Sequence, residues 1–195
     1  MSQPTTSLPI QLSDKPLHRY AGWLLAIALG SLFLTASSYI SIPMWPVPIT
    51  MQTLAVVLVG AVFGWKLGGA TILAWLAEGA LGLPVFAGGA GGLAVFMGPT
   101  AGYIFSFPLI GMLAGWLVAR GWDGSRPLLA FVGMAVAQTL CLIIGALWLA
   151  AMIGPQKAWA VGFVPFLIGD VVKSAMAAAT LVLWHTAKPR RTTKQ

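Results

Sequence analysis

Three ionisable side chains interrupt apolar runs in a sequence that otherwise keeps its charges between and beyond such runs. Asp170 and Lys173 fall within "FLIGDVVKSA" (166–175), and Glu78 within "GATILAWLAEGALGL" (69–83). A charge at the centre of a membrane helix costs about 2.5–3.5 kcal/mol on insertion scales, so such groups face a protein interior and mark a site or a pathway. Asp170 and Lys173 are spaced i, i+3, which places an acceptor and a donor on one helix face. Together they suit a small polar molecule with an apolar body, whose own donors and acceptors would displace the pair's mutual contact. The plainer alternative is an ion pair that only neutralises itself. Trp75 precedes Glu78 by one turn on the same face, which fits either an aromatic wall beside a site or an interfacial anchor.

Other chemistry finds little support. His18 and His185 stand near the two ends of the chain with no carboxylate or cysteine cluster beside them, so no metal site is expected. A serine hydrolase would need a histidine in the apolar core, and an intramembrane aspartyl protease a second aspartate. "GGAGGLA" (88–94) holds a G-x-G-x-x-A spacing, but without a βαβ unit it is no nucleotide fingerprint, and no Walker sequence occurs. What the glycines do permit is close approach of backbone N–H groups to a ligand. The expectation is a binding protein, not an enzyme, with no cofactor. The single cysteine, Cys141, lies in an apolar run and reads as packing.

The elements that must position these residues follow from composition. Of 195 residues, 58% are hydrophobic and 8% charged, where a soluble domain carries roughly 25% charged residues. The chain therefore reads as an all-α integral membrane protein. Six spans are expected, at about 22–42, 50–64, 68–83, 101–119, 128–153 and 163–184, the second and third short for a bilayer core of about 30 Å. Both termini are placed in the cytoplasm: residues 1–20 form an N-terminal segment, 21–186 a six-helix bundle and 187–195 a basic tail. With that count, nine of the eleven basic residues fall on the cytoplasmic side and only Lys157 outside, as the positive-inside rule requires. The net charge of +7 thus reads as membrane orientation and not as nucleic-acid binding. "TASS" after the first apolar run also resembles a cleavage site, but removing that run would spoil the charge asymmetry.

Two external loops stay apolar where solvated linkers would be hydrophilic. "SIPMWPVPIT" (41–50) carries three prolines that forbid a continuous helix, and "PVFAGGAGGLAVFMGPT" (84–100) is glycine-rich. Both are expected to fold back over something. Small-x-x-x-small spacings at Ala26/Gly30, Gly60/Gly64 and Gly111/Gly115 allow close helix contact, within the bundle or with a partner.

Three stretches, "PVPITMQTLAVVLVGAVFG" (46–64), "GLPVFAGGAGGLAVFMGPTAGY" (82–103) and "GDVVKSA" (169–175), closely resemble the BioY family, the biotin-specific S components of energy-coupling factor transporters. The resemblance runs from about residue 20 to 185. It implies a six-helix prokaryotic plasma-membrane subunit that binds biotin from outside, beneath the two loops. A transmembrane T component and ABC-type ATPases energise it, apart from solitary members for which self-association is open. The same resemblance implies that Asp170 and Lys173 bind the polar groups of biotin, with Gln52, Tyr103 and the loop residues Gly88, Gly89, Ala90 and Gly91 completing the lining. Trp75 and Glu78 join them as candidates, and Ala26 and Gly30 would meet the T component. Some members carry Asn in the glycine-rich loop and Arg after the Gly-Tyr pair; Ala90 and Ile104 stand there in this chain. A proton-coupled carrier using Glu78 and Asp170, or an S component for another vitamin, are the alternatives.

Overall fold

A computed structural model of the chain describes residues 16–187, with side chains from Tyr20 onward. The segment up to residue 15 and the basic tail from 188 lie outside that range. Helix α1 (Pro16–Tyr39) ends at a two-residue strand, β1 (Ser41–Ile42), which pairs antiparallel with β2 (Ile49–Thr50). Pro43, Pro46 and Pro48 lie in the turn between them, which is why the chain leaves the helix here.

Helix α2 (Gln52–Ala80) is broken at Gly64, whose φ of 80° and ψ of 164° are open to glycine and strained for other residues. A straight helix would hold Gly60 and Gly68 about 12 Å apart. Instead, a Cβ at Gly68 would come 2.8 Å from the Gly60 Cα. The chain therefore reverses at Gly64, and the limbs 52–63 and 65–80 run side by side. Helix α3 (Ala101–Ala119) packs on this hairpin through glycine. A Cβ at Gly60 would overlap the Gly111 carbonyl, and one at Gly115 would meet the backbone of Gly64 and Trp65.

Helix α4 (Pro127–Ile153) opens on proline, whose missing N–H costs nothing in the first turn. After Gly154 come the short α5 (Pro155–Gly162), a 3-10 turn at Val164–Phe166 and α6 (Leu167–Ala187). The last helix thus starts later than the expected span, because Pro165 sits in the turn. Asp170 falls in the first turn of α6, only about 4.5 Å from its start at ~1.5 Å per residue. α2 packs on α1 and α3, and α4 on α3 and α6.

Among the described residues, five helical stretches are long and apolar enough to cross a membrane: Tyr20–Tyr39, Gln52–Ala80, Ala101–Ala119, Pro127–Ile153 and Pro155–Ala187. Large apolar side chains also point outward, Leu24, Leu25, Leu29 and Leu32 on α1 among them. An aqueous surface would not tolerate such a belt, whereas lipid does. The chain is an all-helical, multi-pass membrane protein.

Candidate functional site

The two apolar loops do fold back, and they enclose a cavity. Its volume is about 410 Å³, within the usual range for small-molecule sites. Val47 and Pro48 contribute from the first loop, and Phe86, Ala87, Ala90 and Val95 from the second. The second loop is pinned from several sides. The Gly92 N–H donates to the Gly79 carbonyl at 2.7 Å, Tyr39 Oη to the Pro84 carbonyl at 2.7 Å and Trp148 Nε1 to the Gly98 carbonyl at 3.0 Å. Gly88, Gly89 and Gly92 have φ of 67°, 76° and 86°, so this path is one that glycine makes cheap.

The inner wall comes from helices. Tyr103, Ile104 and Phe107 on α3, Leu142 on α4, Phe166 before α6 and Lys173 on α6 line it, together with Thr50 at the end of β2 and Gln52 and Thr53 at the head of α2. Among the described residues Lys173 is the only charged side chain on the wall. Its Nζ donates to Thr53 Oγ1 at 2.7 Å and to the Thr50 carbonyl at 3.3 Å. An ammonium has three donors, so one is left over. Thr50 Oγ1 donates to Gln52 Oε1 at 3.1 Å, and Gln52 Nε2 donates to Ser38 Oγ at 2.9 Å. A compact cluster of donors and acceptors thus stands in an otherwise apolar cage.

Asp170 and Lys173 share the helix face that their spacing predicts, yet they do not neutralise each other through a hydrogen bond. Asp170 Oδ2 accepts from Thr139 Oγ1 on α4 at 3.0 Å, while Lys173 turns to the head of α2. Both are buried, at 5% and 7% exposure. Thr139 is a partner that residue type alone did not single out, and neither were Thr50 and Thr53. The latter two carry a faint signal, since "TMQT" opens an apolar run with three polar side chains.

The remaining candidates divide. Gln52, Tyr103 and Ala90 lie on the cavity wall; Gly88, Gly89 and Gly91 do not, and serve the loop's path behind it. A Cβ at Gly91 would overlap the Leu83 carbonyl. Tyr103 Oη donates to the Gly162 carbonyl at 2.6 Å, which ties α3 to α5 and leaves the hydroxyl only acceptor capacity. Trp75 is fully buried behind the wall, edge-on to Phe86 at 5.0 Å and stacked on Phe107 at 6.0 Å, with Nε1 on Thr35 Oγ1 at 3.2 Å. Glu78 accepts from Ser31 Oγ on α1. It and Asp170 therefore belong to different helix interfaces, away from each other. Ala26 and Gly30 are buried within the chain, where a Cβ at Gly30 would come 2.5 Å from Thr71 Cγ2 and 2.8 Å from Phe63. In this structure that pair serves internal packing.

Residues 10–190, nearly the whole chain, match the family model described as the BioY family. The chain belongs to the BioY family. It is 42% identical over 154 residues to the probable biotin transporter BioY of Pyrococcus horikoshii, covering 77% of this chain and 90% of that protein. It is 36% identical to biotin transporter BioY2 of Lactococcus lactis, over 83% of this chain and 92% of the relative, and 34% identical to biotin transporter BioY of Thermotoga maritima, over 80% and 90%. In three dimensions it is similar to the S-component for biotin from an ECF-type ABC transporter, with a TM-score of 0.78 over 87% of this chain and 94% of that one. Sequence identity there is 24%, and the likeness is one of fold.

Proposed function

We propose that the chain is the biotin-binding S component of an energy-coupling factor transporter, resident in a prokaryotic plasma membrane, and that the cavity under its two loops is the biotin site. Family membership supports biotin as the ligand. The observation on this chain that carries the reading is the mixed polar cluster of Lys173, Thr50, Gln52 and Thr53 inside an apolar cage. Biotin has a ureido group, with two N–H donors beside one carbonyl, on a fused ring and an aliphatic tail. The spare donor of Lys173 suits the ureido oxygen, and the Thr50 carbonyl and Gln52 Oε1 suit the N–H groups. Asp170, held by Thr139, supplies compensating charge one turn away. Tyr103, Ala90 and Phe86 would bound the ring and tail, with Trp75 stiffening the wall from behind.

The proposal includes six membrane crossings with both termini in the cytoplasm. The reversal at Gly64 supports it by turning one helical stretch into two antiparallel limbs, and so does the charge asymmetry. Uptake is energised by a T component with ABC-type ATPases. With Ala26 and Gly30 turned inward, a partner meeting α1 would meet the stripe of Leu25, Leu29 and Leu32, spaced i, i+4, i+7.

The deciding experiment is equilibrium biotin binding to the purified chain in detergent, beside Lys173→Met and Asp170→Asn, with folding followed by circular dichroism. Wild type is expected to bind, and Lys173→Met to bind more weakly by about 10–100-fold, the worth of one hydrogen bond to a charged group. A folded wild-type chain that does not take up biotin would sink the reading.

A further inference from the structure

The cavity wall distinguishes the two polar ends of its ligand. The cluster at the head of α2 presents acceptors as well as donors: the Thr50 carbonyl and Gln52 Oε1 stand beside Lys173 Nζ. A carboxylate only accepts, so placing it there would set its charge against two acceptor oxygens. A ureido group offers both kinds of atom and fits. If the ureido ring takes the cluster, the tail must run along the rest of the wall. That wall carries no charged side chain among the described residues, and its helix-borne part is largely apolar, with Ile104, Phe107, Leu142 and Phe166. Tyr103 has its proton committed to Gly162. Ala94 on the wall is exposed, as is its neighbour Leu93, and both lie in a loop that the topology proposed above puts outside the membrane, which gives a tail terminus access to water.

We infer that this site reads the ureido-bearing ring and is indifferent to the charge on the tail, so that neutral tail derivatives, biotin amides and esters, are ligands on a par with the free acid. The inference rests on the biotin reading above. A carboxylate held by a cation in a buried pocket gains a charge-assisted hydrogen bond that an amide or ester cannot replace, and losing it costs roughly tenfold or more in affinity. A carboxylate that ends in water gains nothing of the kind.

The test is equilibrium competition on the full chain in detergent at neutral pH, with biotin, biotinamide and biotin methyl ester as the three probes. The expected result is three dissociation constants within about fivefold of one another. Biotin binding with the amide and ester both weaker by more than about fivefold overturns the inference and leaves the biotin reading intact. The carboxylate's partner would then be the backbone N–H groups in the first turn of α3. Binding of none of the three by folded protein overturns both.

Discussion

At the scale of single residues, the pair of charges on α6 separates into two anchors. Spacing set Asp170 and Lys173 on one face, and membrane energetics required that the face be covered. Neither consideration could say that Lys173 would reach Thr53 and the Thr50 carbonyl, or that Asp170 would take Thr139, because those partners arrive from helices far away in sequence. The arrangement makes Thr139 a structural dependency of the site. Thr139→Val keeps the shape and removes the donor, leaving Asp170 Oδ2 without its partner in a buried setting. The expected cost is about 1–3 kcal/mol, read as a lower thermal midpoint in detergent. A midpoint equal to wild type would show that Asp170 does not depend on this contact. Glu78 illustrates the opposite outcome. It is the third charge within an apolar run, and its partner is Ser31 on α1, apart from the cavity.

At the scale of elements, glycine decides how closely helices meet and how a loop can travel. The limbs of α2 and the flank of α3 converge where Gly60, Gly68, Gly111 and Gly115 leave no room for a Cβ. Gly60→Val would drive a branched side chain into the Gly111 backbone, which cannot rotate away. Loss of about 1–3 kcal/mol or more is expected, measured as a fall in unfolding temperature, whereas Gly82→Ala, which meets open space, should suffer only from its positive φ. The lid over the cavity has a different dependence. Tyr39 is exposed, and its hydroxyl holds the Pro84 carbonyl. Tyr39→Phe should leave the thermal midpoint nearly unchanged while amide hydrogen exchange quickens through residues 85–92, since an exposed hydrogen bond contributes little globally and much locally. Unaltered exchange in that segment would mean that the Gly92 to Gly79 bond suffices to hold it.

At the scale of the whole molecule, the proposed topology rests on where basic residues and the Gly64 reversal place each connection. Cysteine scanning in intact cells tests it, because the native Cys141 is fully buried. Lys157→Cys is expected to react with a membrane-impermeant maleimide added outside, and Ser125→Cys only after permeabilisation; the reverse pattern would invert the molecule. The amino-acid sequence alone determined the membrane class, the approximate positions of the long helices though not the short α5, the apolar character of the two loops and the buried charges. Each of these depends on hydrophobicity, on proline and glycine backbone limits or on the cost of a charge in lipid, and all of those act locally along the chain. Only the tertiary structure decided which way each polar side chain turned. It brought the head of α2 beneath Lys173, put Trp75 behind the wall instead of on it, and consumed Ala26 and Gly30 in internal packing. Those outcomes depend on pairwise distances between residues remote in sequence, and a buried donor or acceptor is satisfied by whichever partner the packing brings near.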